Sequence, residues 1–311
     1  MGVYMEKLKE NQAAYYPGCA LLTIDRAYNN SSKLVSKKMG IELVELQGYN
    51  CCGIGEMKSK GAVSMYLPLR NMMLAKSQLG SKDLVMACSV CYHEFSRSIT
   101  RVRENKNELA SVNAIFKETG EIEGEFTPDG EARHILEFLY NEKGVDEVKK
   151  NTVKPLKGLK AAPYYGCLYS RPSMYTFTDK KPELDNSERP RFMNDFLEAM
   201  GAEVVFYGNE VQCCGGRNVV QDEETSFALC SQTLSKAKKA GADFLVLICP
   251  KCAGALDVNQ PKIVEKFGKD SGLPVVYLTQ LMALAFGFSK KEAEFSDMIS
   301  DPVKVLQEKG F

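Results

Sequence analysis

Short apolar runs alternate along the chain with longer amphipathic stretches. Ala13 to Tyr16, Ile41 to Leu46 and Leu84 to Ala87 read as buried strands, as do Leu159 to Tyr165, Glu203 to Tyr207 and Phe244 to Ile248. Polar turns precede two of them, Gly80 to Asp83 and Gly241 to Asp243. Between the strands, helical spacing of apolar residues predicts helices near Ile24 to Lys38, Val63 to Leu79, Arg191 to Met200 and Glu223 to Ala240. Val275 to Leu278 adds a further strand, followed by an apolar helix from Gln280. Strand–helix alternation predicts parallel sheets covered by helices. Asn105 to Asp129 shows no clear period and reads as an irregular insertion.

The pattern occurs twice. Tyr15-Tyr16-Pro17-Gly18-Cys19 recurs as Tyr164-Tyr165-Gly166-Cys167, Cys51-Cys52-Gly53 as Cys213-Cys214-Gly215, and Cys88-x-x-Cys91 as Cys249-x-x-Cys252. The residues between the single and the paired cysteines number 31 and 45, and those between the pair and the CxxC number 35 and 34. The longer first gap of the second half holds a polar insert, Thr178 to Arg189. The expectation is an α/β protein of two similar domains, each a small, mainly parallel sheet flanked by helices, related by internal duplication. The divide falls in the charged stretch Val145 to Lys160, giving domains 1–153 and 154–311. Ligands of open parallel sheets collect at the carboxyl ends of the strands, and all ten patterned cysteines follow strands.

Composition narrows the chemistry. Lys+Arg and Asp+Glu both number 40, so no basic excess marks a nucleic-acid binder. The longest apolar runs, such as Phe244 to Cys249, fall far short of the roughly 20 residues that cross a bilayer, and no secretion signal is visible. A cytoplasmic chain without a membrane span is expected. Eleven cysteines in such a chain point to metal ligation or redox chemistry rather than structural disulfides. Thiolates are soft ligands for zinc or iron–sulfur clusters. A CxxC places two sulfurs on one turn, and an adjacent pair reaches one site only where the backbone bends, as Gly53 and Gly215 permit. A structural zinc or a cubane takes about four protein ligands, so a fifth cysteine per half implies a spare or a different cluster. Structural zinc and a metal-free CxxC dithiol are the plainer alternatives, and the dithiol leaves the adjacent pairs unexplained.

These residues resemble those of the catalytic, cysteine-rich subunit of heterodisulfide reductase, founder of the cysteine-rich CCG domain family. The likeness covers nearly the whole chain and extends to Lys154 to Cys167, Gln212 to Gly216, Cys249 to Cys252, Ala255 to Gln260 and Val275 to Gly287. The resemblance implies two non-cubane 4Fe-4S clusters, with a disulfide reduced or formed between them. It assigns Cys19, Cys51, Cys52, Cys88 and Cys91 to one, and Cys167, Cys213, Cys214, Cys249 and Cys252 to the other. It implies three kinds of partner: a small ferredoxin-like iron–sulfur protein of the same complex, a flavoprotein behind it, and a small-molecule disulfide or thiol. The chain itself shows no GxGxxG and no GxxxxGK[ST], so electrons arrive from elsewhere. The alternative is a non-catalytic electron-transfer component of a flavin- or quinone-linked dehydrogenase complex.

Outside the ten, Cys230 shares a helical face with Phe227 and Leu234 and reads as a small buried hydrophobe. His93, two positions after Cys91, is a candidate proton donor, with a solvent-facing helix position as the plainer reading. His134 reads as structural. Arg171 and Arg217 are candidates for an anionic substrate group, with surface ion pairs as the alternative, and Lys251 lies inside the second CxxC.

Overall fold

The computed structural model describes residues 7–54, 60–176 and 185–311. The first half runs β1 (Gln12–Tyr16), α1 (Arg26–Lys38), β2 (Glu42–Glu45), α2 (Ala62–Leu79), β3 (Leu84–Met86), α3 (Ser89–Glu104), α4 (Lys106–Thr119), β4 (Ala132–His134) and α5 (Ile135–Asn151). The second runs β5 (Lys160–Tyr164), α6 (Ser173–Thr176), α7 (Phe192–Ala199), β6 (Glu203–Val204), α8 (Glu223–Lys239), β7 (Phe244–Leu247), α9 (Pro250–Ala253), α10 (Gln260–Phe267), β8 (Val275–Tyr277), α11 (Leu278–Ala285) and α12 (Pro302–Glu308). Each half builds a four-stranded, wholly parallel sheet, ordered β2-β1-β3-β4 and β6-β5-β7-β8. The two orders are identical once the halves are aligned, so the duplication seen in the cysteines is a duplication of the fold.

The strands read as continuous apolar runs because helices cover both faces. Leu84, Val85 and Met86, and likewise Phe244 to Leu247, are buried on both sides of the sheet. The switch strand of each sheet, β1 or β5, ends in a tyrosine that ties the next cysteine segment down. Tyr16 Oη donates to Asn50 O at 2.9 Å, and Tyr164 Oη donates to Gln212 O at 2.7 Å. Each accepting carbonyl immediately precedes a cysteine pair.

The stretch expected to be an irregular insertion contains a helix, α4. Asn105 caps it by accepting from the Asn107 and Glu108 amides, and Gly120 ends it in the left-handed region. Its fully buried face is only Val112 and Phe116, one turn apart, too narrow a stripe to register as a period. β4 likewise goes beyond the sequence pattern, whereas α5 begins on the apolar helical run Ile135 to Tyr140. The polar insert Thr178 to Arg189 falls largely on residues outside the described ones.

The halves pack reciprocally. α1, which follows the first strand, lies on α11, which follows the last strand of the other sheet; α5 and α7 make the same contact in reverse. Tyr28 stacks on Tyr277 with ring centroids 4.1 Å apart, and Tyr140 on Phe192 at 3.7 Å. Ser31 and Thr279 hydroxyls meet at 2.7 Å within the first of these contacts. This arrangement turns the carboxyl ends of the two sheets toward each other, and the cysteines lie there.

Candidate functional site: two facing thiol sets

Three segments per half deliver the thiols. Cys19 and Cys167 follow the switch strands. The pairs Cys51-Cys52 and Cys213-Cys214 sit on loops whose next residue has left-handed backbone, Gly53 at φ +75° and Gly215 at φ +74°. A Cβ on Gly215 would stand 2.8 Å from Ser226 Cα, so the loop is pressed against α8. Cys88 and Cys249 occupy the N-caps of α3 and α9, placing each CxxC at a helix start.

The thiols of the first set interact in one series, and those of the second in two runs, Cys167–Cys213 and Cys214–Cys252–Cys249. Cys19 is paired with Cys51, Cys51 with Cys52, Cys52 with Cys91, and Cys91 with Cys88. In the second half Cys167 is paired with Cys213, Cys249 with Cys252, and Cys214 with Cys252 at 3.7 Å. Cys88 of the first set is also paired with Cys249 of the second. The sets thus join at equivalent residues across the seam, a contact that nothing in sequence order announces.

The single cysteine and the first cysteine of each pair behave alike in both halves. Hydrogen bonding from Cys19 lowers the Cys51 pKa, and hydrogen bonding from Cys167 lowers that of Cys213, to about 6. The donors, Cys19 and Cys167, are pushed up in return. Cys249 is lowered by donation from Cys252 and Cys88. Cys19, Cys51 and Cys213 are exposed and Cys167 is half-buried, whereas the other six patterned cysteines are buried. Each set therefore opens to solvent through the same two positions.

Among the described residues no three His, Cys, Asp or Glu side chains form a ready cage for a single metal ion. Interaction in runs is a different arrangement from convergence on a point. An all-sulfur donor set of five, spread over loops and a helix start, suits a cluster of several irons better than one zinc.

The remaining candidates separate clearly. His93 is not solvent-facing: it is 2% exposed, with Nε2 3.8 Å from the buried Glu94 carboxylate and its ring edge-on to Tyr175 at 5.9 Å. α3 is buried along this side because α6 of the other half covers it. Glu94 is ion-paired to Arg97 at 2.9 Å. Arg171 forms an ion pair with Glu188 at 2.7 Å. Arg217 and Lys251 line the cleft shared by Cys167, Cys213, Cys214, Cys249, Cys252 and, from the first half, Ser89 and Val90. Cys230 is fully buried and donates to Cys214 O at 3.1 Å. His134 is a seam residue, its Nε2 3.2 Å from Ile248 O. No local sequence signal marks that contact, because its partner lies 114 positions away.

A duplicated parallel α/β protein that lines its seam with two matched five-thiol sets defines a class of cysteine-rich, redox-type proteins. Known proteins agree with that class. The chain matches the cysteine-rich domain family twice, over residues 13–96 and 161–257. It is 31% identical over 281 residues to a ferredoxin:CoB-CoM heterodisulfide reductase subunit of Methanosarcina mazei, covering 90% of each chain. It is 27% identical over 302 residues to an 8-methylmenaquinol:fumarate reductase membrane anchor subunit of Wolinella succinogenes, covering 95% of this chain and 99% of that one. A crystal structure of a hypothetical protein from Helicobacter pylori shares the fold with TM-score 0.70 at 16% identity, covering 95% of this chain and 53% of that one. The chain thus spans about half the length of that solved structure. The chain belongs to the cysteine-rich domain family that includes this heterodisulfide reductase component. Its named relatives are subunits of reductase complexes, which places it among oxidoreductase components that work with partner proteins.

Proposed function

We propose that the chain is the catalytic iron–sulfur subunit of a heterodisulfide reductase-like complex, reducing or forming a disulfide between two non-cubane 4Fe-4S clusters. One cluster belongs to residues 1–153, on Cys19, Cys51, Cys52, Cys88 and Cys91. The other belongs to 154–311, on Cys167, Cys213, Cys214, Cys249 and Cys252. The observation that carries this reading is the approach of the two matched sets at the buried Cys88 and Cys249, with each set reaching solvent at its single cysteine and the first of its pair. The clusters supply one-electron steps when bound, and a disulfide needs two electrons and two protons.

The protein's own residues supply the rest. The shared cleft holds the substrate, and Arg217 and Lys251 at its second-half wall attract an anionic group on it. Arg171 is the weaker candidate, since Glu188 already engages it. His93, buried beside Glu94 on the helix that begins at Cys88, is placed to pass a proton inward from the α6 side. Electrons come through a small ferredoxin-like subunit, with a flavoprotein behind it, in the cytoplasm. An anaerobic preparation titrated with a panel of disulfides tests the reading. A changed EPR spectrum on adding one of them supports it, and a spectrum indifferent to every disulfide and thiol removes the catalytic role.

A second reading rests on the Wolinella relative, whose name places it in a quinol-linked complex at a membrane. There the chain relays electrons without breaking a sulfur–sulfur bond. Among the described residues no helix is long and apolar enough to cross a membrane, so in that reading attachment comes through surface contact or a partner. Reduction by a quinol-linked partner, with no reaction toward disulfides, distinguishes it.

A further inference from the structure

One backbone carbonyl at the seam is engaged far beyond the usual. Ile248 O, one residue before Cys249, is approached by Tyr28 Oη at 3.1 Å, His134 Nε2 at 3.2 Å and Ser89 Oγ at 3.3 Å. A carbonyl has two lone pairs, so three side-chain donors share it. All three come from the first half, and all are buried, His134 and Tyr28 completely. Ser89 directly follows Cys88. The clamp therefore joins the residue after one CxxC's leading cysteine to the residue before the other's.

His134 is the member whose protonation is fixed by geometry. Its Nδ1 accepts the Leu136 amide at 3.2 Å while capping α5, so the ring proton resides on Nε2 and is aimed at Ile248 O. Tyr169 and Tyr92 hold the ring edge-on at 4.9 and 5.7 Å. A side chain locked at both nitrogens and on its faces transmits the position of β4 to Ile248 with little slack.

We propose that His134, with Ser89 and Tyr28, is the positioning residue that holds Cys249 against Cys88 and thereby sets the coupling between the two thiol sets. This rests on the cluster reading above for its consequence, though not for its geometry. The test is an EPR-monitored redox titration of the full, loaded chain. His134→Ala shifts the reduction step of the second set and alters the magnetic interaction between the two, while His134→Gln, which retains a donor at the Nε2 position, restores the wild-type behaviour. A merely structural histidine lowers stability without moving either signal. A folded His134→Ala chain of full iron content with the wild-type titration and line shape overturns the proposal. Should His134→Ala fail to fold, Ser89→Ala removes one donor of the three and is expected to shift the same step in the same direction; an unchanged step overturns the proposal equally.

If the wild-type chain carries no iron or sulfide, the cluster reading falls and the clamp is decided separately. Diamide, a diazene, oxidises two thiols to a disulfide and is itself reduced to the hydrazine. In the unloaded chain the Cys88–Cys249 disulfide, read by peptide mapping, forms about tenfold more slowly in His134→Ala than in His134→Gln, since small misplacements strongly slow a proximity-driven step. Equal rates overturn the clamp.

Discussion

A buried histidine with both nitrogens engaged resists a second proton. Burial lowers the His134 pKa to about 4, against about 6.5 for an unfolded histidine. A depressed pKa means that the folded state binds fewer protons than the unfolded state. The stability His134 contributes is therefore present above pH ~6.5 and is lost as the pH falls toward 4, on the order of 3 kcal/mol in full. Asp25 and Asp185 act in the opposite sense. Burial raises both to about 6, so each favours the fold below the ordinary carboxylate range and ceases to as the pH rises through 6. Urea unfolding at pH 7 and pH 5 separates these effects. The wild type loses about 2 kcal/mol more than His134→Gln over that interval. Equal pH dependence of the two proteins contradicts a neutral, buried His134.

Neighbouring residues show what a sequence conceals. Cys230 is legible as buried, because Phe227 and Leu234 flank it at helical spacing. Its donation to Cys214 O is not, because nothing local announces a partner on another loop. The solvent-facing reading of His93 fails for a related reason: a short helix from the other half, α6, covers it. Burial imposed by long-range packing leaves no trace in a residue's own neighbours.

At the scale of elements, the cysteine loops depend on two devices that occur in both halves. The tyrosines at the ends of β1 and β5 satisfy the carbonyls before the cysteine pairs. Tyr16→Phe and Tyr164→Phe each cost about 1 kcal/mol, and by similar amounts, since each deletes one neutral hydrogen bond at a matched position. Unequal losses contradict the equivalence of the two loops. The glycine after each pair supplies left-handed backbone. Gly215→Ala adds a Cβ 2.8 Å from Ser226 Cα on top of that strain, and costs at least about 2 kcal/mol in equilibrium unfolding. A neutral substitution contradicts the tight turn. These elements are largely readable from the chain, since glycine after adjacent cysteines and β-runs before them are local signals. α4 is less so, because its burial rests on two side chains, whereas β6 falls inside the run Glu203 to Tyr207 that the pattern reads as a strand.

At the scale of the molecule, duplication explains why equivalent residues face each other. The two copies set one CxxC helix start against the other, and the contact of α1 with α11 recurs reciprocally as that of α7 with α5. The repeat in the chain implies two similar sheets, and the residue spacing places the cysteines at their carboxyl ends. The closing of those ends on each other is a property of the packed pair, carried by scattered contacts such as Tyr140 on Phe192.

The central claim is that ten thiols, five from each half, hold two iron–sulfur clusters. Anaerobic determination of iron, zinc and acid-labile sulfide on the full chain, beside Cys214→Ser, tests it most directly. The account predicts about eight iron and eight sulfide per wild-type chain, and about half of each in Cys214→Ser with the first set intact. Zinc without sulfide, or wild-type iron content undiminished by the loss of Cys214, contradicts it.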